Sequence, residues 1–127
     1  MEKVLSGSHD IAVMRGSIGA LTDHEDLNRL FDSLMTLGNV LNALNQHPKF
    51  WKDRSMDFTP AGKIMETLCE TIDRLIDDVV KRAASLPANN VHDRNLKALT
   101  IASWEAFCNS TPSDIIAAIA PLATDTH

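Results

Sequence analysis

From Leu27 to Leu44 the chain keeps one rhythm. Leu27, Leu30, Leu34, Leu37, Leu41 and Leu44 step alternately by three and four. In heptad letters Leu27, Leu34 and Leu41 are a positions and Leu30, Leu37 and Leu44 are d positions, a seam that predicts a long helix over about 23–46. Phe31, Met35 and Val40 widen the apolar face. Thr22 with Glu25 three residues later reads as a capping box. Asp23, Glu25 and Asp26 place negative charge in the first turn, where the helix dipole favours it. Gly38 reads as a flaw, costing about 1 kcal/mol against alanine. Pro48 ends the run.

Met65, Leu68, Ile72, Leu75 and Val79 repeat the spacing in a second helix, about 60–86. Thr59 caps it, Pro60 takes the first helical position, and Pro87 stops it. Glu66, Glu70, Asp73 and Asp77 form a solvated acidic stripe opposite the seam. Arg74, Lys81 and Arg82 fall four residues after Glu70, Asp77 and Asp78, which predicts pairs along the helix. Asn90 caps a third helix, about 91–109. Its Leu96, Leu99, Ile101, Trp104 and Phe107 cover more than one stripe and predict burial on two sides. Thr111 and Pro112 open a short helix, about 112–120, apolar all round and closed near Pro121. Ser8 and Gly16 bracket a short N-terminal helix, with strand alternation as the other reading. The expected fold is all-α: an antiparallel up-down helical bundle of three to four helices, with or without the short N-terminal one, in a single domain spanning 1–127.

The link between the two long helices breaks the pattern. It concentrates Phe50, Trp51 and Phe58 among Lys49, Lys52 and Arg54, in a chain that has no tyrosine at all. Two readings follow. The aromatics plug one end of the bundle while the cations reach outward. Alternatively Phe50, Trp51, Lys52, Arg54 and Phe58 are a contact surface for a protein partner, since Trp and Arg concentrate in binding hot spots. The first long helix is also weakly charged on its flanks. Asn28, Thr36, Asn39, Asn42 and Asn45 stand where charges keep a lone helix soluble, which suits a homodimer.

Composition narrows the function. A formal charge of −5 disfavours nucleic acid as a partner. No apolar run approaches the roughly 20 residues of a membrane span. The N-terminal stretch lacks a signal-peptide pattern. Cys69 and Cys108 show no Cys-x-x-Cys spacing and read as buried, reduced thiols, so the cytoplasm is the expected location. The histidines His9, His24, His47, His92 and His127 make no His-x-x-x-His or Glu-x-x-His pair, and no metal or cofactor is implied. His9-Asp10 and His92-Asp93 read as first-turn helix chemistry.

Two short stretches carry a resemblance. Asp32-Ser33-Leu34-Met35 resembles the Asp-Ser-Leu site of acyl and peptidyl carrier proteins, in which the serine bears phosphopantetheine, and this implies modification at Ser33. The pattern departs from theirs in lacking the glycine before the aspartate. With the cap at Thr22, Ser33 also falls inside a helix and not at its start. "SHDIAVMRGSI" resembles the phosphoacceptor box of histidine kinases and implies phosphotransfer at His9. The expected function is that of a small non-enzymatic protein acting by protein–protein interaction, through self-association or adaptor binding. A carrier or phosphorelay protein modified at Ser33 or His9, and a bundle binding a small molecule, are the alternatives.

Overall fold

The computed structural model describes residues 2–46, 58–108 and 111–123. They form five helices: α1 (Glu2–Gly19), α2 (His24–Asn45), α3 (Pro60–Ser85), α4 (Val91–Phe107) and α5 (Pro112–Ala123). No β-strand is formed among the described residues, and the chain is an all-α helical bundle.

Local capping chemistry sets most of the starts. The Thr59 hydroxyl accepts from the Gly62 N–H at 3.1 Å. The Asn90 side chain accepts from the Asp93 N–H at 2.8 Å. At α5 the capping is reciprocal: the Asp114 N–H donates to the Thr111 hydroxyl and the Thr111 N–H to the Asp114 carboxylate. At α2 the cap lies one residue later than the sequence suggests. Asp23, not Thr22, accepts from the Glu25 N–H at 3.0 Å, and its carbonyl takes the first helical bond from Leu27. Thr and Asp are both competent caps, and the register of the buried face decides between them.

Two helices outrun their predicted ends. α1 begins before Ser8 and passes through Gly16. It is tied down on both sides of that glycine, by the Arg15–Asp78 ion pair and by Ile18, which is buried. α5 continues past Pro121 to Ala123, where Leu122 is buried; tertiary burial overrides the local penalty of the proline. α4 is not buried on two sides, because Leu99 and Phe107 are exposed. Nor is α5 a core piece all round, since Ile116 is exposed.

Packing divides the chain into two compact units, one built from Met1–Phe31 and Asp78–His127, the other from Asp32–Asp77. The first unit buries Ile18, Leu27, Phe31, Val79, Ala83, Ile101 and Leu122, with α4 packed on α5. It also buries polar groups. His24, 3% exposed, brings Nε2 to 3.0 Å from the Leu86 carbonyl and 3.2 Å from that of Pro87. Both partners only accept, so Nε2 is the nitrogen that donates. Lys97, 7% exposed, donates to the same Leu86 oxygen at 3.0 Å. Asn28 donates to the buried Thr100 hydroxyl, which itself donates to the Leu96 carbonyl. Arg82 donates from Nε to the Leu21 carbonyl at 2.7 Å, satisfying backbone just beyond the end of α1. Arg82 therefore does not pair with Asp78 along α3. Asp78 binds Arg15 instead, with Nε–Oδ2 at 2.7 Å and Nη2–Oδ1 at 3.1 Å.

The second unit buries Leu34, Cys69, Leu75 and Ile76. Along the whole of α2 and α3 the predicted seam is only partly covered: Leu27, Leu34, Leu75 and Val79 are buried, and the rest of the buried face lies one place beyond d. On α2 the fully covered positions are Leu27, Phe31, Leu34, Gly38 and Asn45, which are a and e positions. Leu37 and Leu44, both d, are exposed. On α3 Gly62, Cys69, Ile76 and Ala83 are buried and recur every seven, again one place beyond d; the seam residues Leu75 and Val79 are buried beside them, while Leu68 is exposed. Both helices are rolled toward their smaller residues. Gly38 is where this matters most: a Cβ there would lie 3.5 Å from Ile72 Cγ2 and 3.9 Å from Ile76 Cδ1. The glycine is thus a contact point rather than a flaw, and it lets α3 side chains rest on the α2 backbone.

Candidate interaction surface

Rolling the helices inward has an outward counterpart. On α2, Leu37, Val40 and Leu44 stand 45%, 51% and 46% exposed, at spacings of three and four, so they share one face. On α3, Ile64 and Leu68 are 66% and 46% exposed and lie four apart. These five large apolar side chains all belong to the second unit. Scattered exposed apolar residues are ordinary, but a regular stripe is not.

The polar neighbours do little to dilute the stripe. Thr36, Thr67 and Thr71 turn their hydroxyls back onto the carbonyls of Asp32, Lys63 and Thr67 at 2.9–3.0 Å. Between Asp32 and His47 the sequence holds no Asp, Glu, Lys, Arg or His. α3 is different over the same unit, with Glu66, Glu70 and Asp73 exposed as a solvated acidic face.

Those acids dictate what Cys69 can do. Its thiol is buried, and desolvation followed by the nearby Asp73, Glu66 and Glu70 carboxylates pushes its pKa up. A thiol held protonated is a poor nucleophile, so Cys69 is a core residue. Cys108, expected to be buried, is exposed at the end of α4. Its neighbours Trp104 and Phe107 stack on one another with centroids 5.6 Å apart.

Of the residues singled out in the sequence, Phe58 is half-buried just before α3. Phe50, Trp51, Lys52 and Arg54 lie outside the described residues, and so does His47. Ser33 is exposed in the middle of α2, which runs through it without a break. It sits seven residues before Val40 and four before Leu37, on the same open face. His9 is exposed on α1. Among the described residues no group of His, Cys, Asp and Glu side chains is placed to hold a metal ion, and no helix is long and apolar enough to cross a membrane.

The first unit carries a concavity of its own. A groove of about 740 Å³ runs between α1 and the end of α3, lined among others by Arg15, Gly16 and Gly19 and by Asp78, Lys81 and Arg82. Its carboxylate is held ionised: hydrogen bonding to Arg15 pulls the Asp78 pKa down, against a smaller opposing effect of burial.

What sequence reasoning missed was how far the covered face turns from the d positions toward the residues one place beyond them. The signal was present in the small residues at 38, 62, 69 and 83, which mark the side where helices can approach closely. Comparison with protein families, with curated proteins and with solved structures finds no match to this chain.

Proposed function

We propose that the protein works by association and not by catalysis, and that the α2 stripe of Leu37, Val40 and Leu44 is where a second copy of the chain docks. The observation that carries this reading is the pairing of an exposed apolar stripe with a helix segment free of charge. A neutral face meets its own copy without like-charge repulsion. An acidic face such as that of α3 does not, so α2 takes the centre of the contact and Ile64 and Leu68 its margin. Depletion of charge at the core with polar residues around it is the ordinary anatomy of an interface. Asn39 and Asn42 would fix register, as buried asparagines do in coiled coils.

The magnitudes are compatible. Each of the five residues is about half exposed, so covering them contributes on the order of 4–8 kcal/mol per copy. The cost of association is about 4–15 kcal/mol. With the cost near the low end of that range, the two copies together leave about 8 kcal/mol, a dissociation constant in the micromolar range. Sedimentation velocity across nanomolar to about 100 micromolar protein tests it. A monomer–dimer transition that Leu37→Glu with Leu44→Glu abolishes, with the helical circular dichroism unchanged, supports the reading. A wild-type chain that stays monomeric throughout removes it, and a partner of different sequence then becomes the remaining occupant for the stripe.

A further inference from the structure

We propose that the groove between α1 and the end of α3 binds a small organic phosphate. Three observations converge on it. The lining is cationic in an acidic protein: Arg15, Lys81 and Arg82 face one carboxylate, Asp78, while the whole chain carries −5. Such a lining attracts an anion, and a phosphate monoester carries a charge of about −2 near neutral pH.

The guanidinium groups are also set in place beforehand. Arg15 is held by Asp78 through two bonds of 2.7 and 3.1 Å. Arg82 is held through Nε by the Leu21 carbonyl at 2.7 Å. This leaves the two Nη groups of Arg82 without a protein acceptor among the described residues. An arginine fixed by Nε with its outer nitrogens unused is suited to bidentate recognition of an oxyanion, and little rotamer freedom remains to be lost on binding.

The floor, finally, is open for no internal reason. A Cβ at Gly16 or Gly19 would meet nothing within 4 Å, and neither glycine has a left-handed backbone. Neither packing nor dihedral angle asks for glycine at these places, yet both line the groove. What the missing side chains provide is space beside the cations. The groove, about 740 Å³, is open to solvent and gives a small anion access to the cations.

The test is a titration of the full chain with glycerol phosphate, with citrate and inorganic phosphate in parallel, followed by NMR of the backbone amides and the arginine Nε–H groups. Saturable shifts centred on Gly16, Gly19 and Arg82, with a dissociation constant of about 1 mM or tighter at low salt, are expected. Arg82→Gln should weaken binding at least about tenfold, the loss of one charge-assisted pair. Gly16→Leu puts a side chain into the groove from a Cβ position that meets nothing within 4 Å, so it should abolish binding without lowering the thermal melt. Inorganic phosphate binding as tightly as the ester would assign the site to the free ion, and citrate binding more tightly than either would overturn the phosphate assignment. Shifts that grow linearly over the whole surface, or an unaltered affinity in Arg82→Gln, would overturn the site itself. The groove lies wholly within the first unit, so the Leu37→Glu, Leu44→Glu variant should bind as the wild type does.

Discussion

The two units differ in what their helices do with the groups that do not fit a plain apolar core. The first takes several polar groups inside: His24, Lys97 and Thr100 are buried and each is hydrogen-bonded to a backbone carbonyl. Both leave large apolar groups outside, the first among others at Ile11, Met14, Leu99 and Ile116, but in the second Leu37, Val40 and Leu44 share one face of a single helix. The same two helices run through both, with the same three–four leucine rhythm. A hydrophobic repeat therefore guarantees a helix and an apolar stripe, but not what covers the stripe. Where many elements converge, polar side chains are drawn in to serve stray carbonyls. Where two helix segments make up a unit, part of the stripe stays in contact with water.

The largest contrast should come from paired truncations. We expect Leu27→Ala, at a fully buried position, to cost about 3–5 kcal/mol in chemical denaturation of the dilute monomer, and Leu37→Ala less than about 1 kcal/mol. Similar losses from both would mean that Leu37 is covered and the contrast is wrong. Next in size is a pair of insertions. Gly38→Leu should cost about 1–3 kcal/mol because Ile72 and Ile76 already occupy its space, whereas Gly16→Leu should be close to neutral. Thermal melts of the two variants measure this directly.

A third test removes the charge that the first unit buries. Lys97→Met keeps the volume, and the Leu86 carbonyl retains its bond from His24. Stability should stay level or rise by about 1–2 kcal/mol, as when buried charges give way to apolar groups. A fall of that size in the urea midpoint would show that the ammonium is needed.

The smallest effect separates two carboxylates on α3. Asp78, in the first unit, has its pKa lowered chiefly by the hydrogen bond from Arg15. Its contribution to stability is present above the ordinary carboxylate value of 3.8 and lost as pH falls through the lower folded value. Asp73, in the second unit, has its pKa raised, first by desolvation and then by Glu70. Folding favours its protonated form, so its contribution is present below 3.8 and lost as pH rises through the raised folded value. Arg15→Gln should thus destabilise by up to about 1 kcal/mol at pH 7 and not at pH 2. Asp73→Asn should stabilise at pH 7, with the gain vanishing in acid. Denaturation midpoints at the two pH values decide the signs.

Much of this was legible in the chain. The caps at Thr59, Asn90 and Thr111 depend on neighbours three residues away, and the sequence displays those neighbours directly. The cap at Asp23 was missed by one position because two competent residues stand side by side, and only the buried face chooses between them. The inward role of Gly38 could not be read without knowing that Ile72 and Ile76 lie opposite. Lys97 was equally opaque: its partner is a backbone carbonyl, and no side-chain type announces it. Of the aromatic contact residues expected before α3, only Phe58 is described, and it is half-buried.

The first unit is assembled from both flanks of the chain, with the second unit's Asp32–Asp77 intervening. During synthesis, α1 and the start of α2 leave the ribosome long before the residues that cover them. Asp78, Arg82 and Leu86, which Arg15, Leu21 and His24 bind, come more than sixty residues later in each case. The intervening segment can form as it emerges, while the flanks close on each other only once Asp78 to Leu86 have emerged, a late step of high contact order. Chains ending before residue 78 should accordingly leave α1 open to protease, whereas the full chain protects it.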